Sequence, residues 1–142
     1  MNYIIAIAIF FGMCISALAE KNNYFGEAKI LFEEKKYEES KFLFQRNIVY
    51  NPKNAASYLY LAKIFSLEEN KSEQEKNINT ALLLDPKNEE AMYLLIDVEL
   101  KRSNFSKVGE LKKDFKMICV EMCEKLISIN NRLKEFEKKD ES

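Results

Sequence analysis

The chain of 142 residues contains no His and no Trp, only three Gly and two Pro, and a nearly even charge balance of 22 basic against 23 acidic side chains. Each shortage excludes something. Without His, the commonest general base and zinc ligand is missing, so triad hydrolysis and most zinc chemistry lose their usual participant. Few Gly and Pro argue against a sandwich or barrel rich in tight turns. A net charge of −1 provides no clustered basic excess for neutralising phosphates, which excludes a strongly electrostatic nucleic-acid binder. What is abundant is Lys, Glu, Leu and Ala, all good helix formers. The expectation is one small all-α protein, not an enzyme, with no catalytic residue, metal or cofactor.

Charge is absent altogether from Tyr3 to Ala19, a run ending in Ala17-Leu18-Ala19, and every charged side chain follows it. An apolar stretch closed by small-x-small reads as a secretory signal peptide over residues 1–19, cleaved after Ala19. The rival reading is an uncut anchor, since the run is at the short limit for a spanning helix. Lipoprotein processing at Cys14 fits poorly, because bulky Met13 precedes it. Either reading places residues 20–142 beyond the inner membrane, periplasmic or secreted, where disulfides persist.

The remainder repeats itself. NPKNAASYLYLAKIF from Asn51 returns as DPKNEEAMYLLIDVEL from Asp85. The offset is that of one helix-turn-helix unit, about 34 residues. In this phase Tyr24, Tyr58 and Met92 align, then Ala28, Ala62 and Ile96, then Leu31 with Phe65. These are apolar positions of a first helix at i, i+4 and i+7. Tyr37 with Phe105, and Phe44 with Ile78, mark a second helix. A small side chain at Ala28 or Ala62 permits close approach of paired helices. Proline follows a helix end, and Asn54 and Asn88 are placed to cap the next helix. Ser72 and Glu75 have capping-box spacing and predict a helix start there. Lys71 and Gln74 stand where the first repeat has Tyr37 and Ser40, so the second helix of the middle unit is expected to pack loosely; in the third unit Glu99 and Lys112 stand where the second has Phe65 and Ile78.

On these residues the chain resembles the tetratricopeptide repeat family over about residues 21–122. The resemblance implies a right-handed superhelix of about three units, 21–54, 55–88 and 89–122, followed by a capping helix over 123–138 and a frayed tail at 139–142. The capping helix is read from Leu126, Ile129, Leu133 and Phe136 at helical spacing. Cys119 and Cys123 fall in an inter-unit turn, where a disulfide is inferred; free thiols, or a redox or metal pair, are the alternatives. In this Cys-x-x-x-Cys and its following helix the chain is similar to exported bacterial periplasmic tetratricopeptide proteins.

The family's inward positions imply a concave groove of Phe25, Lys29 and Phe32 from the first unit, Leu59, Lys63 and Ser66 from the second, and Tyr93, Asp97 and Leu100 from the third. Burial of Phe25, Leu59 and Leu100 beneath neighbours is the competing reading. A mix of apolar and basic side chains suits a protein or peptide partner with apolar anchors and some acidic character. The expected function is a non-enzymatic interaction module, exported, that scaffolds or docks onto an envelope complex. The alternative is a self-assembling structural subunit whose groove is filled by itself or another copy. A membrane is a partner only if the first segment stays uncut. The pairs Glu33-Glu34, Glu38-Glu39 and Glu89-Glu90 are expected to be solvated.

Overall fold

In the computed structural model, residues 23–140 are described, with side chains to 135; the signal peptide expected over residues 1–19 lies outside the described residues. The described chain is all-α, seven helices in sequence: α1 Tyr24–Glu33, α2 Tyr37–Tyr50, α3 Ala55–Leu67, α4 Lys71–Leu84, α5 Glu89–Lys101, α6 Phe105–Ile118 and α7 Lys125–Asp140. Each helix packs against the next, and α7 contacts both α5 and α6. Among the described residues no helix is long and apolar enough to cross a membrane.

The period of the sequence is written into the backbone. Lys35, Glu69 and Ser103 occupy the same phase of successive repeats and are the three described non-glycine residues with positive φ, at 62°, 58° and 58°. Each sits in the turn between paired helices. There the amide of the following residue, Lys36, Asn70 or Asn104, donates to the carbonyl of Leu31, Phe65 or Glu99 at 2.9–3.0 Å. This is the Schellman closure of a helix end, which uses one left-handed residue to satisfy otherwise orphaned carbonyls. The turns joining pairs recur as well: Asn51, Asp85 and Cys119 donate their amides to Asn47, Ala81 and Phe115.

Asparagine begins most helices. Asn54 and Asn88 accept from the amides of Ser57 and Ala91, as expected. The start of α4 differs from expectation: Asn70 caps it, accepting from Glu73 at 3.2 Å, so the helix is capped two positions before the Ser72-Glu75 pair begins. Asn is as good a cap as Ser, and here the left-handed residue before it fixes its position.

All four core clusters of the described residues draw on three consecutive helices each, Leu59, Ala81 and Ala91 of α3, α4 and α5 forming one of them. Ala28, Phe44 and Leu61 join α1, α2 and α3; Ala62, Ile78 and Val98 join α3, α4 and α5; Ile96, Phe115 and Ile129 join α5, α6 and α7. The loose packing expected of α4 is not found, since Gln74 is buried along with Asn77, Ile78 and Ala81. Asn77 resolves its own polarity by donating to the Glu73 carbonyl one turn earlier. Glu99, buried in α5, accepts from Asn104 at 2.8 Å and lies 3.5 Å from Arg102. Ser40 donates to the Ala28 carbonyl, and Asn47 to Ser57, each at 2.8 Å, tying α2 to its neighbours on both sides.

At the last turn Cys119 and Cys123 have Sγ atoms 2.13 Å apart and Cα atoms 5.2 Å apart, disulfide geometry. The same turn rests on Glu89, the first residue of α5. Its carboxylate accepts from the amides of Val120, Glu121 and Met122, the shortest bonds at 2.7 and 2.8 Å. Glu89 is therefore structural rather than merely solvated, and Glu90 pairs with Lys63. Desolvation pushes the Glu89 carboxyl up, but the three amide donors outweigh it and hold it below the usual carboxylate range. The closing segment is helical through Asp140.

Because a left-handed backbone costs a side-chain-bearing residue about 1 kcal/mol that Gly does not incur, Glu69→Gly should raise stability by roughly that amount. Chemical denaturation of the variant against the parent reads the difference; an unchanged or lowered midpoint would contradict the turn geometry.

Candidate interaction face

The positions singled out in the sequence fall into two groups with different surroundings. The first is aromatic and belongs to α1, α2 and α3. Phe25 and Phe32 of α1 meet Tyr60 of α3 edge-on, with ring centroids 6.1 and 5.1 Å apart. Phe44 of α2 stacks on the same Tyr60 at 4.9 Å and 14°. Lys63, one turn on, places its ammonium 4.6 Å from the Tyr60 centroid and 2.6 Å from Glu90 on α5. Aromatic pairs of this geometry add ~0.5–1.5 kcal/mol each beyond their buried area, so Tyr60 is the hub of this face. Burial raises the Tyr60 hydroxyl's pKa, and the negative charges of Glu90 and Glu33 push it the same way. Phe25, Phe32, Tyr60 and Lys63 all remain partly accessible, and Lys29 is exposed beside them.

Tyr60 is the residue that the sequence pattern does not single out. The repeat phase points to Leu59, one position earlier, yet Leu59 is 6% exposed and packs with Ala81 and Ala91. Leu100 is likewise in the core, at 1%. Neither offers a surface to another molecule. Adjacent residues on a helix point about 100° apart, so the one-residue displacement separates a core side chain from an accessible one.

The second group is held by the chain's own last helix. Tyr93 packs against Phe115, and Lys125 of α7 lies 5.8 Å from its ring centroid. Asp97 accepts a 2.7 Å hydrogen bond from Arg132 of α7 and pairs with Lys101 at 2.8 Å. Ser66 is elsewhere, in the lining of a surface hollow with Glu69, Lys71, Gln74, Val98, Lys101 and Arg102. Among the described residues no group of three or more His, Cys, Asp or Glu side chains is arranged to hold a metal ion.

Desolvation raises the Asp97 carboxyl, but hydrogen bonds and charge from Lys101 and Arg132 prevail and leave it below the ordinary carboxylate value. A depressed folded-state pKa contributes stability that is complete above the unfolded value of about 3.9 and is lost as pH falls through the folded one. Acid should therefore loosen α7 at its seam with α5. Asp97→Asn should reproduce that loosening at neutral pH, with a stability loss of about 1–2 kcal/mol for a partly exposed charged hydrogen bond. Amide exchange in residues 125–135 tests this; protection unchanged in the variant would contradict it.

No protein-family model matches the chain. No curated protein matches it either.

Proposed function

We propose that this protein is an exported, non-enzymatic module of tetratricopeptide type, whose helix pairs stack as a right-handed superhelix and whose first helices carry a binding face for a protein partner. The observation that supports the tetratricopeptide reading most is the left-handed turn residue returning once in every repeat, at Lys35, Glu69 and Ser103. A period in side chains alone could serve many helical packings; a period in turn geometry favours identical units stacked in one sense. The run Tyr3–Ala19 fits an export signal, and the Cys119–Cys123 bridge fits an oxidising compartment.

The binding face is drawn from α1 and α3. Tyr93 and Asp97 are engaged by α7, which leaves Phe25, Lys29, Phe32, Tyr60 and Lys63 as the accessible set. Rigid aromatic rings supply contact area at small entropic cost, while Lys29 supplies a positive charge at the margin. The partner that fits is an extended or helical segment with one large apolar anchor for the Phe25–Phe32–Tyr60 surface and an acidic group for Lys29. Docking onto an envelope complex is the role this supports.

A photoactivatable aromatic side chain at Phe25 should yield a discrete protein adduct in the native envelope, whereas the same group at Lys76, exposed on α4, should not. Lys29→Glu should abolish capture by the same group placed at Phe25, without altering the fold. Equal labelling from Phe25 and Lys76, or an adduct with a second copy of the chain alone, would overturn the reading, the latter in favour of a self-assembling subunit.

A further inference from the structure

The penultimate residue of each of α2, α4 and α6 is an exposed apolar side chain. Val49 of α2 is 76% exposed, Leu83 of α4 81% and Met117 of α6 77%, and the three hold the same position in successive repeats. Equivalent positions in successive repeating units fall on one line along the molecule. Tyr50, at 68%, and Val120, at 83%, extend the row at its two ends. Nothing in the fold requires these residues to be apolar, because their neighbours Asn47, Ala81 and Phe115 already provide the buried contacts at the ends of the same helices. Five large apolar side chains along one edge make more than the scattered exposure normal for a surface.

The edge has a definite place in the fold. Consecutive helices run antiparallel, so α2, α4 and α6 finish where α1, α3 and α5 begin. Tyr24, the first residue of α1, stacks on Tyr50, the last of α2, with centroids 5.5 Å apart. The chain therefore enters the fold at the first member of the row. Only Glu20 to Asn23 separate that point from the uncharged run Tyr3–Ala19. A stretch of this length reaches at most about 14 Å even when fully extended. Lys53 and Lys87, in the turns that follow Val49 and Leu83, and Lys116, which precedes Met117, are exposed and add basic side chains to this end of the helices. Glu121 and Glu124 are exposed at the far end, so the basic character belongs to the part nearest α1.

We infer that this edge lies on a lipid bilayer, with the run Tyr3–Ala19 retained in the membrane as an anchor and Val49, Tyr50, Leu83 and Met117 seated at the interface. So short a tether keeps the row within reach of the lipid, so docking is intramolecular and a shallow apolar contact suffices. Partly inserted Val, Leu and Met gain by leaving water, Tyr is at home at the headgroup level, and Lys extends to anionic phosphates while its stem stays apolar. The arrangement favours retention of the run over its removal after Ala19. It does not depend on the binding face of α1 and α3, and orients the molecule whether or not that face has a partner.

The absence of Trp makes the orientation directly measurable. The full chain is reconstituted into vesicles of phosphatidylethanolamine and phosphatidylglycerol as Leu83→Trp or as Lys71→Trp, the latter exposed at the opposite end of α4. Both sites are at the surface, and circular dichroism verifies that each variant folds. The expected result is blue-shifted emission from the Leu83→Trp protein, quenched by brominated lipid, and water-like, unquenched emission from the Lys71→Trp protein. Equal emission and quenching at the two sites, or stronger quenching at Lys71→Trp, would overturn the inference. So would a blue shift at Leu83→Trp that brominated lipid leaves unquenched, since the row would then be covered by protein.

Discussion

No helix pair of this protein completes its apolar core alone; each shares a cluster with the element that follows or precedes it. Ala62, Ile78 and Val98 come from three consecutive helices and meet in one cluster. The same sharing places Leu61 of α3 against Ala28 and Phe44, and Ile129 of α7 against Ile96 and Phe115. Cohesion therefore passes from neighbour to neighbour rather than through one centre. A close crossing at Ala28 and Ala62 sets the spacing of the first two pairs, whereas in the third Ile96 fills the equivalent place and is wholly buried. The third pair has the larger core and relies on α7 to close it.

Electrostatics follows the same geometry without keeping the same signs. Lys41 of α2 pairs with Glu68, the residue closing α3, at 2.6 Å. One period later Glu75 of α4 and Arg102, closing α5, make a two-pronged contact at the corresponding positions with the charges exchanged. Arg102 draws the Glu75 carboxyl below its usual range, chiefly by hydrogen bonding. What recurs is the proximity of the two positions; either order of charge satisfies it. Such exposed pairs contribute little each, so the recurrence fixes register more than stability.

The order of helices and the positions of the inter-unit turns are legible in the sequence because apolar side chains recur in phase and Pro52 returns as Pro86. The Asn54 and Asn88 caps can be read for the same reason. The left-handed residues cannot, because Lys35, Glu69 and Ser103 share no side-chain character and no glycine marks the turns. Asn70 is hidden behind the more familiar Ser72-Glu75 spacing. The pattern favours Leu59 over Tyr60 because the phase is carried rigidly from Phe25, whereas core packing against Ala81 and Ala91 decides which of the two faces inward. Two long-range polar contacts have no sequence signal at all. Asp97 finds Arg132 only because α7 folds back on α5, and Glu89 finds the turn at 120–122 only because that turn closes over the start of the same helix.

Transmission of stability between neighbours distinguishes this architecture from a single enclosed core, and Phe115→Ala is the perturbation to use. The side chain is completely buried in the last cluster, and its loss should cost about 3–5 kcal/mol. Native-state hydrogen exchange on the variant should show protection falling steeply in α5, α6 and α7, less in α3 and α4, and least in α1 and α2. A uniform loss of protection across all seven helices would contradict the account, because it would mean one cooperative core in place of linked neighbours.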